Sequence, residues 1–187
     1  MAKSRRTARE AVLRALYQLD VLDVRADALE VLREVEDGMA LDAEQRPYAE
    51  EMITGIKAIR SDLDREIASR IADYDWDRVA VIDRNVLRIA AYELLHIPWL
   101  APAVTINEAV EIAKKYSTAE SGRFVNGVLG RMARESGKAD WRSTDAESEP
   151  EQVQREPEDA VVVEEVDESS PEAADARRWG WKLRSEG

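Results

Sequence analysis

The chain has 187 residues, a formal net charge of −12, one histidine and no cysteine. These values exclude disulfides, a thiolate zinc site and a cysteine nucleophile, and the lone His96 cannot build a histidine-based metal site. Residues 1–10 lack the apolar core of a signal peptide, and charged residues and prolines interrupt the most apolar stretch, 89–106, so we expect a soluble, cytoplasmic protein.

The first predicted helix carries the sharpest charge contrast of the chain. Residues 1–19 hold five basic side chains against one acid, and Ser4 or Thr7 suits the N-cap. Apolar residues recur every three or four positions, which places them on one face. The side chains expected to face outward are Arg5, Arg6, Arg9 and Leu13. Such a basic island in an acidic chain indicates a polyanion partner, although the charge alone fits a solvated helix face equally well.

Three further helices are predicted before residue 72. Asp27 or a neighbour opens the second, which ends near Gly38. Pro47 suits the first turn of the third. Ser61 is the expected cap of the fourth, whose apolar residues follow at four-residue steps.

The fifth and sixth helices are predicted from local stop and start signals. The fifth runs from about Val79 to His96, and Pro98 ends it. Thr105 and Glu108 form a T-x-x-E capping box, which predicts the start of the sixth helix.

The seventh helix carries Phe124, and two glycines lie inside it. Each glycine, Gly127 and Gly130, costs roughly 1 kcal/mol relative to alanine, and close approach of another helix is the expected reason. Because no segment has the pattern of a strand, we predict an all-α body of about seven amphipathic helices around a helix-on-helix core.

The last 45 residues differ from this body. Residues 143–187 hold fourteen acids and five bases, a net charge of −9, and are rich in Ser and Pro without periodic apolar spacing. They bury too little apolar surface to offset the entropy of ordering. We therefore predict a helical domain over 1–142 and a disordered acidic tail over 143–187, whose end at 177–184 sets two tryptophans among four basic residues.

No catalytic motif fits this sequence. Aspartates at 73, 75 and 77 alternate as at the start of a calcium loop, but Arg78 and Arg84 occupy the positions that require glycine and glutamate. These aspartates are better explained as caps of the next helix. Glu93 lies near an apolar stripe, where a buried carboxylate needs a hydrogen-bond partner, and a structural role is favoured over catalysis. The sequence indicates no enzyme.

Four blocks follow one another in a specific order and spacing: RRTARE with ALYQ at 5–18, DRNVLRIAAYEL at 83–94, INEAVEIAK at 106–114 and RFVNGVL at 123–129. Together they resemble the bacterial transcription antitermination factor NusB family over residues 1–135. The resemblance implies two three-helix bundles and binding of the boxA segment of ribosomal RNA leader transcripts. It also implies a partner, the small-subunit ribosomal protein NusE, and a place in an antitermination assembly on RNA polymerase, with no cofactor and no catalysis.

The resemblance also implies site residues. RNA contacts fall on Lys3, Arg5, Arg6, Arg9, Tyr17, Arg123, Phe124 and Asn126. The chemistry agrees, since single-stranded RNA is held by basic side chains on phosphates and aromatic rings under unstacked bases. NusE contacts fall on Asp83, with Arg84 beside it. From the residues alone, Tyr17 equally suits a half-buried helix position, Phe124 a core position, Asn126 a helix-pairing hydrogen bond, and the 83–84 pair a solvated turn.

Two alternative functions share part of this pattern. A NusB-like domain also occurs fused to ribosomal RNA cytosine methyltransferases, but that enzyme needs a catalytic cysteine and a following cofactor domain, which this chain lacks. A helical adaptor that binds only protein is the second alternative. Salt-dependent binding of boxA RNA distinguishes the adaptor from an RNA-binding factor.

Overall fold

The computed structural model describes residues 2–21, 26–36, 38–39, 41–71 and 75–136, with side chains from Arg5 onward. These ranges contain seven α-helices and one 3₁₀ turn, and no strand occurs in them. The prediction of an all-α fold with about seven helices is therefore confirmed. The helices are α1 (Ala2–Val21), α2 (Ala28–Glu36), α3 (Gln45–Ala58), α4 (Arg60–Ala68), α5 (Val81–His96), α6 (Pro102–Tyr116) and α7 (Ala119–Glu135), with the 3₁₀ turn at Trp76–Arg78. No helix of the described part is both long and apolar enough to cross a bilayer.

The N-terminal unit contains the described residues up to Ala58 and is a three-helix bundle. Helix α1 packs against both α2 and α3, which also contact each other. Asp27 caps α2 as predicted, since its Oδ1 accepts the backbone N–H groups of Leu29 and Glu30 at 2.8 and 3.3 Å. Asp42 caps α3 in the same way, and Gln45 Oε1 accepts the Asp42 N–H at 3.0 Å in return. This reciprocal cap fixes the start of α3.

The C-terminal unit contains the described residues from Ile59 onward. Helices α5, α6 and α7 pack against one another, and the short α4 packs on α5. Glu93 of α5 is buried and accepts the Thr105 hydroxyl of α6 at 2.9 Å. The predicted structural role of Glu93 is therefore confirmed, because the hydrogen bond satisfies a carboxylate oxygen that is removed from water.

A buried arginine ties α4 to α5 in this unit. Arg88 is 2% exposed, and its Nε and Nη2 donate to the two carboxylate oxygens of Asp64 at 2.7 and 2.8 Å. Its Nη1 donates to Asn85 at 2.8 Å, and its guanidinium lies 5.5 Å from the Trp76 ring centroid. The bidentate pair and the ring together hold the 3₁₀ turn near α4 and α5.

Three predicted helix starts are wrong. Helix α1 begins at Ala2, so Ser4 and Thr7 lie inside it rather than at its N-cap. Ile59, not Ser61, is the N-cap of α4, and Ser61 lies exposed inside the helix. Helix α6 begins at Pro102, so Thr105 lies beyond its first residues and is buried rather than capping. In all three places the helix begins earlier than the predicted capping residue, and the Thr105 hydroxyl bonds Glu93 of another helix instead.

The packing reason predicted for the glycines of α7 is wrong at Gly127. Gly130 is buried, but a Cβ added at Gly127 would meet no described atom within 4 Å. The close approach occurs instead at Gly122, where a Cβ would lie 2.8 Å from Lys114 Cγ of α6. The cost of Gly127 in the helix therefore has no packing explanation in the described residues.

Candidate nucleic-acid interface

Helix α1 presents fewer of its arginines than predicted. Arg5 and Arg6 are half-buried, whereas Arg9 is 2% exposed and its guanidinium lies 6.0 Å from the Tyr48 ring centroid of α3. Leu13 is fully buried. The prediction that Arg9 and Leu13 face outward is wrong, because α1 packs against two helices and its buried surface is wider than one stripe.

Tyr17 and Lys3 are the other residues of α1 that were predicted to contact RNA. Tyr17 is 3% exposed, so a base cannot stack on its ring in this conformation. Lys3 lies within α1, and its side chain is outside the described ones. Arg5 and Arg6 stay candidates for phosphate contacts, whereas Arg9 and Tyr17 are buried and pack within the bundle.

Helix α7 of the C-terminal unit carries the other predicted residues. Arg123 is exposed, and Phe124 and Asn126 are half-buried. Phe124 is therefore not a fully buried core residue, and part of the residue is exposed to solvent. A cation beside an accessible aromatic ring suits a phosphate and a base of single-stranded RNA.

The start of α7 is fixed by hydroxyl groups. Thr118 is the N-cap, and its Oγ1 accepts the Ser121 N–H at 3.1 Å. The Ser121 hydroxyl, 1% exposed, lies 2.9 Å from that of Ser117 and donates to Asp83 Oδ2 of α5 at 2.8 Å. This network orients the first turns of α7, where Arg123 follows.

Asp83 is not on an exposed interface. Its side chain is 0% exposed and accepts the Ser121 hydroxyl, and its place in the first turn of α5 suits a negative charge. The predicted direct contact of Asp83 with NusE is corrected on this ground, because a partner cannot reach a fully buried carboxylate. Arg84 beside it is half-buried and stays a candidate contact.

Some residues around the start and along the exposed face of α7 were not predicted from the sequence. Ser121 and Asp83 are 38 positions apart, so their contact has no local signal. Arg131 and Arg134 are exposed on α7, and their spacing of eight and eleven residues from Arg123 could have shown that the three share a helix face.

Metal chemistry finds no support in the described ranges. No group of three or more His, Asp or Glu side chains there is arranged to hold an ion. Asp75 caps the 3₁₀ turn, its Oδ1 accepting the Asp77 N–H at 3.4 Å, as the capping interpretation predicted. Asp73 lies outside the described residues. Exposed arginines near a half-buried aromatic residue on a helix are typical of the class of protein that binds a polyanion.

Comparison with known proteins identifies the family within this class. The family model described as "NusB family" matches residues 6–134. The transcription antitermination protein NusB of Desulfitobacterium hafniense is 36% identical over 142 residues, covering 76% of this chain and 96% of the relative. The Bacillus subtilis protein of the same name is 38% identical over 130 residues, covering 68% and 93%. The chain belongs to the NusB family.

Solved structures agree with this assignment. Thermotoga maritima NusB superposes with a TM-score of 0.65 at 42% identity, covering 70% of this chain and 91% of that one. A crystal structure of the antitermination factors NusB and NusE in complex with dsRNA matches with a TM-score of 0.65 at 25% identity, covering 72% and 99%. The matched region ends before the predicted tail, and residues 143–187 lie outside the described residues.

Proposed function

We propose that this protein is a non-catalytic transcription antitermination factor that binds boxA RNA of ribosomal RNA operon transcripts together with NusE. The observation that carries the proposal is the exposed Arg123, followed by the half-buried Phe124 on α7, in a chain of the NusB family. Arg5 and Arg6 supply a second basic surface on α1. Action on nascent transcripts within the RNA polymerase assembly places the protein in the cytoplasm.

In this proposal the two units contribute different surfaces. Arg5 and Arg6 in the N-terminal unit and Arg123 in the C-terminal unit neutralise phosphates, and Phe124 stacks on an unpaired base. Asn126 supplies amide hydrogen bonds to a base edge. Arg84 forms part of the surface that contacts NusE. Asp83 supports this surface indirectly, because it accepts the Ser121 hydroxyl at the start of α7. Lys3 joins the phosphate contacts as an expectation from the family resemblance.

Replacing Arg5 and Arg6 together by alanine tests the phosphate contacts. With three or four phosphates neutralised, the wild-type affinity should fall with salt at a log–log slope of roughly −2 to −3, and losing two contacts should make the slope shallower by about 1.4. Fluorescence anisotropy of a labelled boxA oligonucleotide at several salt concentrations measures both slopes. Arg33→Ala, which removes an exposed arginine of α2, is the matched control and should leave the slope unchanged. Equal slopes for wild type and double variant would remove α1 from the interface.

Phe124→Ala tests the stacking contact. Loss of the ring should weaken boxA binding by roughly 1–3 kcal/mol, the range measured for a base stacked on an aromatic side chain. Phe124→Tyr keeps the ring and should bind close to the wild type. Thermal unfolding separates the two roles of the residue, because a half-buried ring contributes to packing as well. If affinity and unfolding temperature fall together in Phe124→Ala and affinity is not retained in Phe124→Tyr, Phe124 is a packing residue only.

A further inference from the structure

The exposed face of α7 continues beyond the predicted site. Arg123, Gly127, Arg131 and Arg134 follow one another at steps of four, four and three residues, the spacing of one helix face. The three arginines are exposed, and we call these four residues the α7 ridge. At 1.5 Å per residue the ridge is about 16 Å long, enough for several successive phosphates.

The charge of the ridge is predominantly positive. Glu135, the acid nearest its C-terminal end, forms an ion pair with Arg70 Nε at 2.8 Å, which offsets its charge. The Arg131 guanidinium donates to the Arg70 carbonyl at 3.1 Å, and this bond holds it in place without neutralising it. Glu120 is the one acid on the same face, at the N-terminal end.

The arginines give the ridge its charge, and Gly127 affects its shape. A Cβ there would meet no described atom within 4 Å, so no packing contact requires glycine. Glycine nevertheless costs the helix stability, and a bare backbone on an exposed face lets another chain approach closely. Gly127 lies between Arg123 and Arg131, about one helical turn from Phe124.

We propose that the α7 ridge is a binding track for the ribose–phosphate backbone of the nucleotides that flank the base stacked on Phe124. The inference rests on the proposed RNA-binding function and extends it. Arg131 and Arg134 neutralise phosphates without reading sequence, and the backbone lies against the helix at Gly127. Continuity with Arg123 and Phe124 and the positive charge of the face favour RNA over an apolar protein segment as the occupant.

The first test compares a short boxA oligonucleotide with the same segment extended by flanking nucleotides. The wild type should show a steeper salt dependence on the extended RNA, by about 1.4 in log–log slope for two added phosphate contacts. Arg131→Ala with Arg134→Ala should abolish this increment for native and permuted flanks alike. Arg65→Ala, an exposed arginine of α4, is the control and should keep it.

The outcomes separate the two proposals. If the wild type binds the short RNA and the increment persists in the double variant, the ridge is overturned while the proposed function stands. If the wild type binds neither RNA, both are overturned.

Gly127→Ala tests whether RNA approaches the helix closely at this position. Thermal stability and RNA affinity should change in opposite directions in this variant. A structural glycine would destabilise the fold when replaced. At this open position alanine should instead raise the midpoint of thermal unfolding by about 2–4 °C, from its higher helix propensity. The added methyl group should lower affinity for the extended RNA. A variant that gains stability and binds the extended RNA as tightly as wild type would overturn the close approach.

Discussion

Asp83→Lys is expected to lower the free energy of unfolding by about 3–5 kcal/mol, because it places an uncompensated ammonium where a fully buried carboxylate accepts the Ser121 hydroxyl. The substitution also sets a positive charge in the first turn of α5, where the helix dipole favours a negative one. Against a typical total stability of about 5–15 kcal/mol, this is a large fraction. Chemical denaturation followed by circular dichroism measures the loss.

The functional consequence follows from the position of Ser121. Since this residue holds the start of α7, loosening it displaces Arg123 and Phe124, and RNA binding should fall together with stability. Asp83→Asn is the control, because its amide oxygen still accepts the hydroxyl and the expected loss is only about 1 kcal/mol. A stable Asp83→Asn protein that fails to bind NusE would contradict this account and make Asp83 a direct contact.

Asp64→Ala is expected to cause the second large loss in the free energy of unfolding. It leaves the Arg88 guanidinium buried without its bidentate partner, which should cost about 3 kcal/mol. The value lies at the lower end of the range for buried pairs, because Asp64 is 21% exposed and water reaches the site. Combining Asp64→Ala with Arg88→Met should be less destabilising than Asp64→Ala alone, since no buried charge then remains.

Asp62 offers a matched control in the same helix. It pairs with Arg65 at the surface, where both side chains are largely exposed, so Asp62→Ala should change stability by no more than about 1 kcal/mol. Thermal and urea unfolding of the two single variants give the comparison. Equal losses for Asp62→Ala and Asp64→Ala would show that the buried pair contributes no more than a surface pair.

Features that act locally were predictable from the sequence. Apolar spacing predicts the seven helices, and Asp27 caps α2 because an aspartate side chain bonds N–H groups two and three residues ahead. Charge contrast and a basic–aromatic pairing on α7 indicate the kind of ligand. The expected partners NusE and boxA come from the family resemblance, because composition and spacing do not predict them.

Features that depend on distant residues were not predictable. One-stripe periodicity assumes a single neighbour, yet α1 packs against two helices, so Arg9 is buried near Tyr48. Thr105 has the sequence of a cap, but its hydroxyl bonds Glu93 twelve residues earlier in another helix. Gly127 has the sequence of a packing glycine and lies on an open face. In each case the deciding contact, or its absence, is tertiary.

Specific recognition of boxA RNA together with NusE can be measured in a single titration. Full-length protein is titrated into labelled boxA RNA and into a permuted RNA of equal length and composition, each with and without NusE. We expect tighter binding of boxA than of the permuted RNA, a further gain in affinity for boxA when NusE is added, and loss of binding as salt rises. Equal affinities for the two RNAs in both conditions, independent of salt, would contradict it and leave a helical protein-binding adaptor.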